Sequence, residues 1–121
     1  MPNYELINKT IDKLSLSPKD ILMKINVKLR EIEDREKQIG HSYFMKNGKQ
    51  VDTIDELREV YIYDIIPLIS EDCFNDYSKM SEIIGEKFID TDSEELKYEL
   101  LNGTEDYFAA EIINQFGDGN D

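Results

Sequence analysis

Thr53-Ile54-Asp55-Glu56-Leu57-Arg58-Glu59-Val60-Tyr61-Ile62-Tyr63-Asp64-Ile65-Ile66-Pro67-Leu68-Ile69 decides the fold class. Thr53 and Glu56 stand at the spacing at which a hydroxyl and a carboxylate each satisfy an amide of the first helical turn, so a helix begins at Ile54. From there Leu57, Val60, Tyr61, Ile62, Ile65, Ile66, Leu68 and Ile69 occupy most of the circumference, as expected of the central helix of a small bundle. Pro67 removes one backbone bond and costs about 3 kcal/mol inside a helix. A kink or break is therefore predicted close to Ile66, offset by burial of the flanking isoleucines.

Towards the amino terminus, Ser17-Pro18-Lys19-Asp20 is a helix start. Ser17 can accept from free first-turn amides, Pro18 loses nothing at the first helical position, and Asp20 favours the positive end. Ile21, Leu22, Ile25, Leu29 and Ile32 then share one face of a helix that runs to about Ile32, with Lys24, Lys28 and Arg30 elsewhere on its surface. Leu6, Ile7, Ile11 and Leu14 repeat at helical spacing and predict a leading helix or arm over residues 1–16. Between these helices, Gln38-Ile39-Gly40-His41-Ser42-Tyr43-Phe44 turns abruptly apolar after a charged run. Gly40 supplies a bend there, before a short helical turn at 41–44. Lys46-Asn47-Gly48-Lys49 reads as a turn, the tip of a small hairpin.

Towards the carboxyl terminus, residues 76–84 predict a helix that turns Tyr77, Met80, Ile83 and Ile84 inward and stops at Gly85. Phe88-Ile89 reads as a short extended link. Two further helices, about 93–101 and 104–116, are separated by Asn102-Gly103, and 117–121 reads as a disordered tail. The expected fold is all-α: a small helical bundle over 17–90 with a C-terminal helical extension over 91–116, and two or three strand-like residues near the turns. With 121 residues, 40% of them apolar, one domain with one modest core is expected.

Charge divides the chain. Residues 1–60 hold 11 Lys/Arg and 11 Asp/Glu, whereas residues 61–121 hold 3 and 16, which accounts for the whole net charge of -13. A DNA duplex, with a negative charge every ~1.7 Å, would be repelled by the second half, so no direct DNA contact is expected from it. Tyr61, Tyr63, Tyr77, Tyr98, Phe44, Phe74 and Phe88 lack the interleaved Lys and Arg of a base-stacking platform and read as core or protein interface. No apolar run approaches the roughly 20 residues that span a bilayer, and no leader follows Met1, so a soluble, cytoplasmic chain is expected.

No constellation of catalytic residues emerges. His41 and Ser42 are neighbours that would not point at one another in a helical turn, and His41 reads as a buried or capping residue that fixes that turn. Asp90, Asp92 and Glu94 alternate like a calcium loop, but Glu95 stands where such a loop needs glycine and Leu101 where it needs glutamate. The single Cys73 and single histidine cannot furnish the roughly four ligands of a zinc site. No Gly-rich loop ending in Gly-Lys-Ser/Thr occurs. No metal, no cofactor and no catalytic residue is assigned to the chain itself.

Ile25-Asn26-Val27-Lys28-Leu29-Arg30-Glu31-Ile32, Asp34-Arg35-Glu36-Lys37-Gln38-Ile39-Gly40-His41-Ser42-Tyr43-Phe44, Glu56-Leu57, Ile65-Ile66-Pro67-Leu68-Ile69 and Phe74-Asn75-Asp76-Tyr77, taken in order, resemble the lid region of McrB-type AAA+ GTPases of modification-dependent restriction systems. The resemblance spans roughly 18–90, with Ile39 to Phe44 its most specific string and Ile65, Ile66, Pro67 and Leu68 its structural one. The chain departs from the family at Lys37, where histidine is common, and at Glu71-Asp72-Cys73-Phe74, where a Glu-Tyr-Phe string is usual. The resemblance implies a helical AAA+ lid that closes over GTP (or ATP) with Mg and packs on neighbouring ring subunits. The nucleotide-binding core would lie upstream, and an McrC-type endonuclease would be the partner that cuts methylated DNA. The chain would then be a C-terminal fragment or a lid-like relic, inactive alone.

A lid assists phosphoryl transfer by bringing a cation to developing phosphate charge. Arg35, beside the Gly40 bend, and Arg58, in the first turns of the central helix, are the candidate nucleotide sensors. The plainer reading gives Arg35 a surface ion pair with Asp34 or Glu31, and Arg58 one with Asp55. The rival to the lid is a free-standing acidic helical module that binds or regulates a protein partner. A lid fragment would expose an apolar patch where its core was removed; a regulator would cover its own surface.

Overall fold

The computed structural model describes residues 3–33, 38–97 and 102–117. The chain opens with a 3-10 turn, Tyr4–Ile7, followed by α1 (Pro18–Glu33), a second 3-10 turn (His41–Phe44), and the hairpin β1 (Met45–Lys46) and β2 (Lys49–Gln50). Then come α2 (Ile54–Val60), a π turn (Tyr61–Ile65), α3 (Ile66–Asp72), α4 (Tyr77–Ile84), the hairpin β3 (Ile89–Asp90) and β4 (Glu95–Leu96), and α5 (Glu105–Phe116).

The helix starts follow their caps. The Ser17 amide donates to the Asp20 carboxylate at 2.9 Å while Ser17 Oγ accepts from the Asp20 amide at 3.2 Å, a reciprocal arrangement that satisfies two first-turn donors. Thr53 Oγ1 accepts from the Glu56 amide, and the Glu56 carboxylate reaches back to the Asp52 amide. These bonds hold Glu56 below its usual carboxylate range. Asp76 accepts from the Ser78 and Lys79 amides at the start of α4, and Thr104 from the Tyr107 amide at the start of α5.

Pro67 does not break the helical segment, whose regularity changes to a π turn just before it. Ile66 donates instead to the carbonyl of Tyr61, five residues back, within a π turn. The wider turn takes up the disturbance of a proline on its C-terminal side, so the segment stays continuous from Ile54 to Asp72.

The fold is mostly helical but not all-α, because two antiparallel hairpins are present. Asn47 (φ 53°) and Gly48 (φ 79°) form the two-residue tip of the first, pairing Met45 with Gln50 and Lys46 with Lys49. The second replaces the beginning of the helix predicted over 93–101, and residues 98–101 lie outside the described residues. There Asp90 Oδ1 accepts from the amides of Asp92 and Ser93, which turns the chain back so that Ile89 pairs with Leu96. Of the expected leading helix or arm, the described residues show an arm. After the first 3-10 turn, Lys13 (φ 69°) and Ser15 (φ 60°) reverse the chain. The Ile11 amide then bonds the Leu16 carbonyl at 2.8 Å, and Ile7, Ile11 and Leu14 are buried from a looped arm.

One core joins these elements. Tyr61 lies at its centre, fully buried, with its hydroxyl donating to the Ile84 carbonyl at 2.6 Å. Its ring meets the edges of Phe88, Phe108 and Phe116 at centroid distances of 5.7, 5.8 and 6.3 Å, the arrangement favoured by aromatic quadrupoles. The C-terminal helix therefore docks on the bundle. α5 buries Phe108, Ala109, Ile112 and Phe116, Gln115 donates to the Glu82 carbonyl and Lys24 to that of Gly117.

Candidate functional site

The segment 38–44 is positioned by one buried polar residue. Asn26 lies on the inward face of α1 between Ile25 and Leu29 and is 1% exposed. Its carboxamide accepts from the Ile39 amide at 2.8 Å and donates to the Ile39 carbonyl at 3.1 Å and to the Tyr4 hydroxyl at 3.2 Å. A side chain thus mimics a strand partner, fastening the arm and the 38–44 segment to α1.

Beyond Ile39, which is itself buried, the segment divides into anchors and exposed groups. Gly40 has φ -77° and ψ 156°, an extended conformation open to any residue, so the predicted glycine bend is not what turns the chain. His41 is half-buried, and its Nδ1 accepts from the Asn3 amide at 2.8 Å. That bond leaves the ring proton on Nε2 and ties down the arm, a capping task. Phe44 is fully buried, while Ser42 and Tyr43 face solvent.

Of the candidate arginines, Arg35 lies outside the described residues. Arg58 is half-buried at the joint between α2 and α5. Its Nη1 donates to the Gly103 carbonyl at 2.8 Å, and its guanidinium stands 6.0 Å from the centroid of the Phe108 ring. Hydrogen bonding with Asp55 and repulsion from it raise Glu105 above the usual carboxylate range. Two acidic helix starts thus meet beside an arginine. Ile65 and Ile66 are buried, Leu68 is half-buried and Pro67 faces solvent.

Asn26 and Gln50 are functional to the scaffold but were not singled out by sequence reasoning. Gln50 Oε1 accepts from the Lys9 amide and its Nε2 donates to the Lys9 carbonyl, a second amide side chain reading a backbone edge. The only available signal was phase, a polar residue on an apolar helical face at Asn26. Among the described residues no group of His, Cys, Asp and Glu could hold a metal ion. A recess of about 540 Å³ lies between α1, α4 and α5, but the Glu82 carbonyl on its wall is already bonded by Lys28 and Gln115. No helix among the described residues is long and apolar enough to cross a membrane.

The family model for the alpha-helical lid domain of McrB matches residues 17–81, more than half of the chain. The match begins at the cap of α1 and ends inside α4, so the second hairpin and α5 lie beyond it. No curated protein and no solved structure matches.

Proposed function

The chain belongs to the McrB alpha-helical lid domain family, and from that premise we propose that it works as the lid of an McrB-like AAA+ restriction NTPase. In this reading it aids nucleotide closure and ring assembly within a modification-dependent DNA restriction system. GTP or ATP with Mg would be held by a nucleotide-binding core upstream. Neighbouring ring subunits and an McrC-type endonuclease would be its partners. The observation that carries the reading is the family match across α1, the 38–44 segment and the central helix.

The chain's own residues do not fit a complete nucleotide site. They include no Gly-Lys-Ser/Thr loop and, among the described residues, no metal-binding cluster, so no chemical step is assigned to it. Its contribution would be geometric. Asn26 fastens α1 to the 38–44 segment, Tyr61 fastens the central helix to the end of α4, and Arg58 is a cation held at an inter-helix joint. Reaching a phosphate would require Arg58 to exchange the Gly103 carbonyl for a stronger, charged acceptor.

The genomic reading frame upstream of Met1 tests the proposal. A Gly-rich stretch ending in Gly-Lys-Ser/Thr, followed by an acidic strand, supports the lid reading. In that polypeptide Arg58→Ala would then lower nucleotide hydrolysis by about tenfold or more. A stop codon immediately upstream, preceded by a ribosome-binding sequence, would favour a free-standing acidic interaction module. One observation supports that second reading: α5 closes the core over Tyr61 using the chain's own residues.

A further inference from the structure

Met23 and Val27 stand one turn apart on the outward side of α1 and are 41% and 49% exposed, while Leu22, Ile25 and Leu29 are buried. Lys19 lies one turn before Met23, and Arg30 three residues after Val27. At about 100° per residue the four positions fall within an arc of about 80°. α1 is helical without interruption from Pro18 to Glu33, so they share one face of one helix. Lys24 and Lys28 mark the limit of that face, because their ammonium groups donate to the carbonyls of Gly117 and Glu82 on the side packed against α5 and α4.

Charge sets this face apart. Among the exposed large apolar residues, Leu6, Tyr63, Phe74 and Ile113 each have an acid within two positions and no lysine or arginine, whereas Met23 and Val27 each have a lysine and no acid. Neither the Lys19 ammonium nor the Arg30 guanidinium has a hydrogen-bond or ion-pair partner among the described residues. Of the nearby acids, Asp20 is engaged by the Ser17 amide and hydroxyl, which leaves Glu31 at one edge. Lys19 also sits in the first turn, where a cation opposes the helix dipole, so the helix itself gains nothing from that charge. In a chain of net charge -13, two unpaired cations thus bracket an exposed apolar pair.

We infer that the outward face of α1 docks an amphipathic helix of a protein partner, with an apolar centre over Met23 and Val27 and acids that meet Lys19 and Arg30. The span sets the spacing. Eleven residues of α1 rise about 16 Å, so the partner's two acids stand about that far apart. Nucleic acid fits less well, because this face offers two cations and the chain as a whole repels a polyanion. A second copy would bring its own charge of -13, which opposes association. The inference goes beyond the lid reading and does not depend on it.

The test is backbone NMR mapping of the full chain with two synthetic helical peptides that share a leucine face, one carrying glutamates eleven positions apart and the other lysines. The glutamate peptide is expected to shift the amides of residues 19–31, with binding weakened by salt. Lys19→Glu combined with Arg30→Glu should weaken that binding about tenfold or more and let the lysine peptide bind in its place. Met23→Gln combined with Val27→Gln should also weaken binding about tenfold or more, while the thermal midpoint stays close to that of the unaltered chain because both side chains face solvent. The inference is overturned if the glutamate peptide does not bind, if the shifts centre on other elements, or if the lysine peptide binds the unaltered chain equally. It is also overturned if the charge-reversed variant binds the glutamate peptide as before, if a short DNA duplex shifts the same amides more strongly, or if those amides shift with protein concentration alone.

Discussion

Asn26 shows how much one buried amide can organise. Substitution by leucine keeps the branched skeleton but leaves the Ile39 amide and carbonyl buried without their partner, a loss of about 3 kcal/mol at the usual cost of such groups. Urea unfolding should report that loss, and amide exchange should quicken first in the His41–Phe44 turn. The residue's inward phase on α1 was visible in the sequence. Its partner was not, because nothing local to Asn26 encodes a contact thirteen positions away. Tyr61 makes a second residue-level expectation. Burial pushes its phenol well above the usual range near 10. Its folded value exceeds its unfolded one, so its contribution to stability is complete below about pH 10 and is lost as pH rises towards the folded value. In a spectrophotometric titration of the seven tyrosines, Tyr61 should ionise only together with alkaline unfolding.

At the scale of elements, the sequence was legible wherever a short-range bond set the boundary. Ser17 with Asp20, Thr53 with Glu56, Asp76 and Thr104 each begin a helix where their spacing placed one. Local reading failed where a competing local bond or a distant contact outweighed helical propensity. The Asp90 side chain captures the amides of Asp92 and Ser93, and Leu96 then packs partly against the core from a strand. Glu94 holds φ 57° in that loop, so Glu94→Gly should raise stability by about 1 kcal/mol, measurable by thermal melting. Gly85 gives the opposite result. Its φ is 127°, and a Cβ there would lie 3.2 Å from the Phe88 ring, so Gly85→Ala should destabilise by more than about 1 kcal/mol in the same assay.

The whole molecule is larger than the unit its family describes. The match to residues 17–81 contains Tyr61 but none of the three phenylalanines that surround it. Truncation after residue 97 should therefore expose the aromatic hub. The shortened chain is expected to bind a hydrophobic dye and to lose its sharp thermal transition. An unchanged, cooperative melt would show that α5 is dispensable. Charge patterning marked the second half as acidic, yet composition gave no sign that its last helix completes the core. That outcome depends on Phe108, Ile112 and Phe116 finding Tyr61 across more than forty residues.

The π turn has a consequence for comparing this chain with its relatives. Spanning five residues where an α-turn spans four, Tyr61–Ile65 accommodates one residue beyond a uniform helix. One α-helical residue corresponds to about 100° of rotation. A relative whose central helix is uniform should align with a one-residue gap inside 61–65. Matching the two without that gap would pair Ile66, Pro67 and Ile69 with positions on the wrong side of the relative's helix.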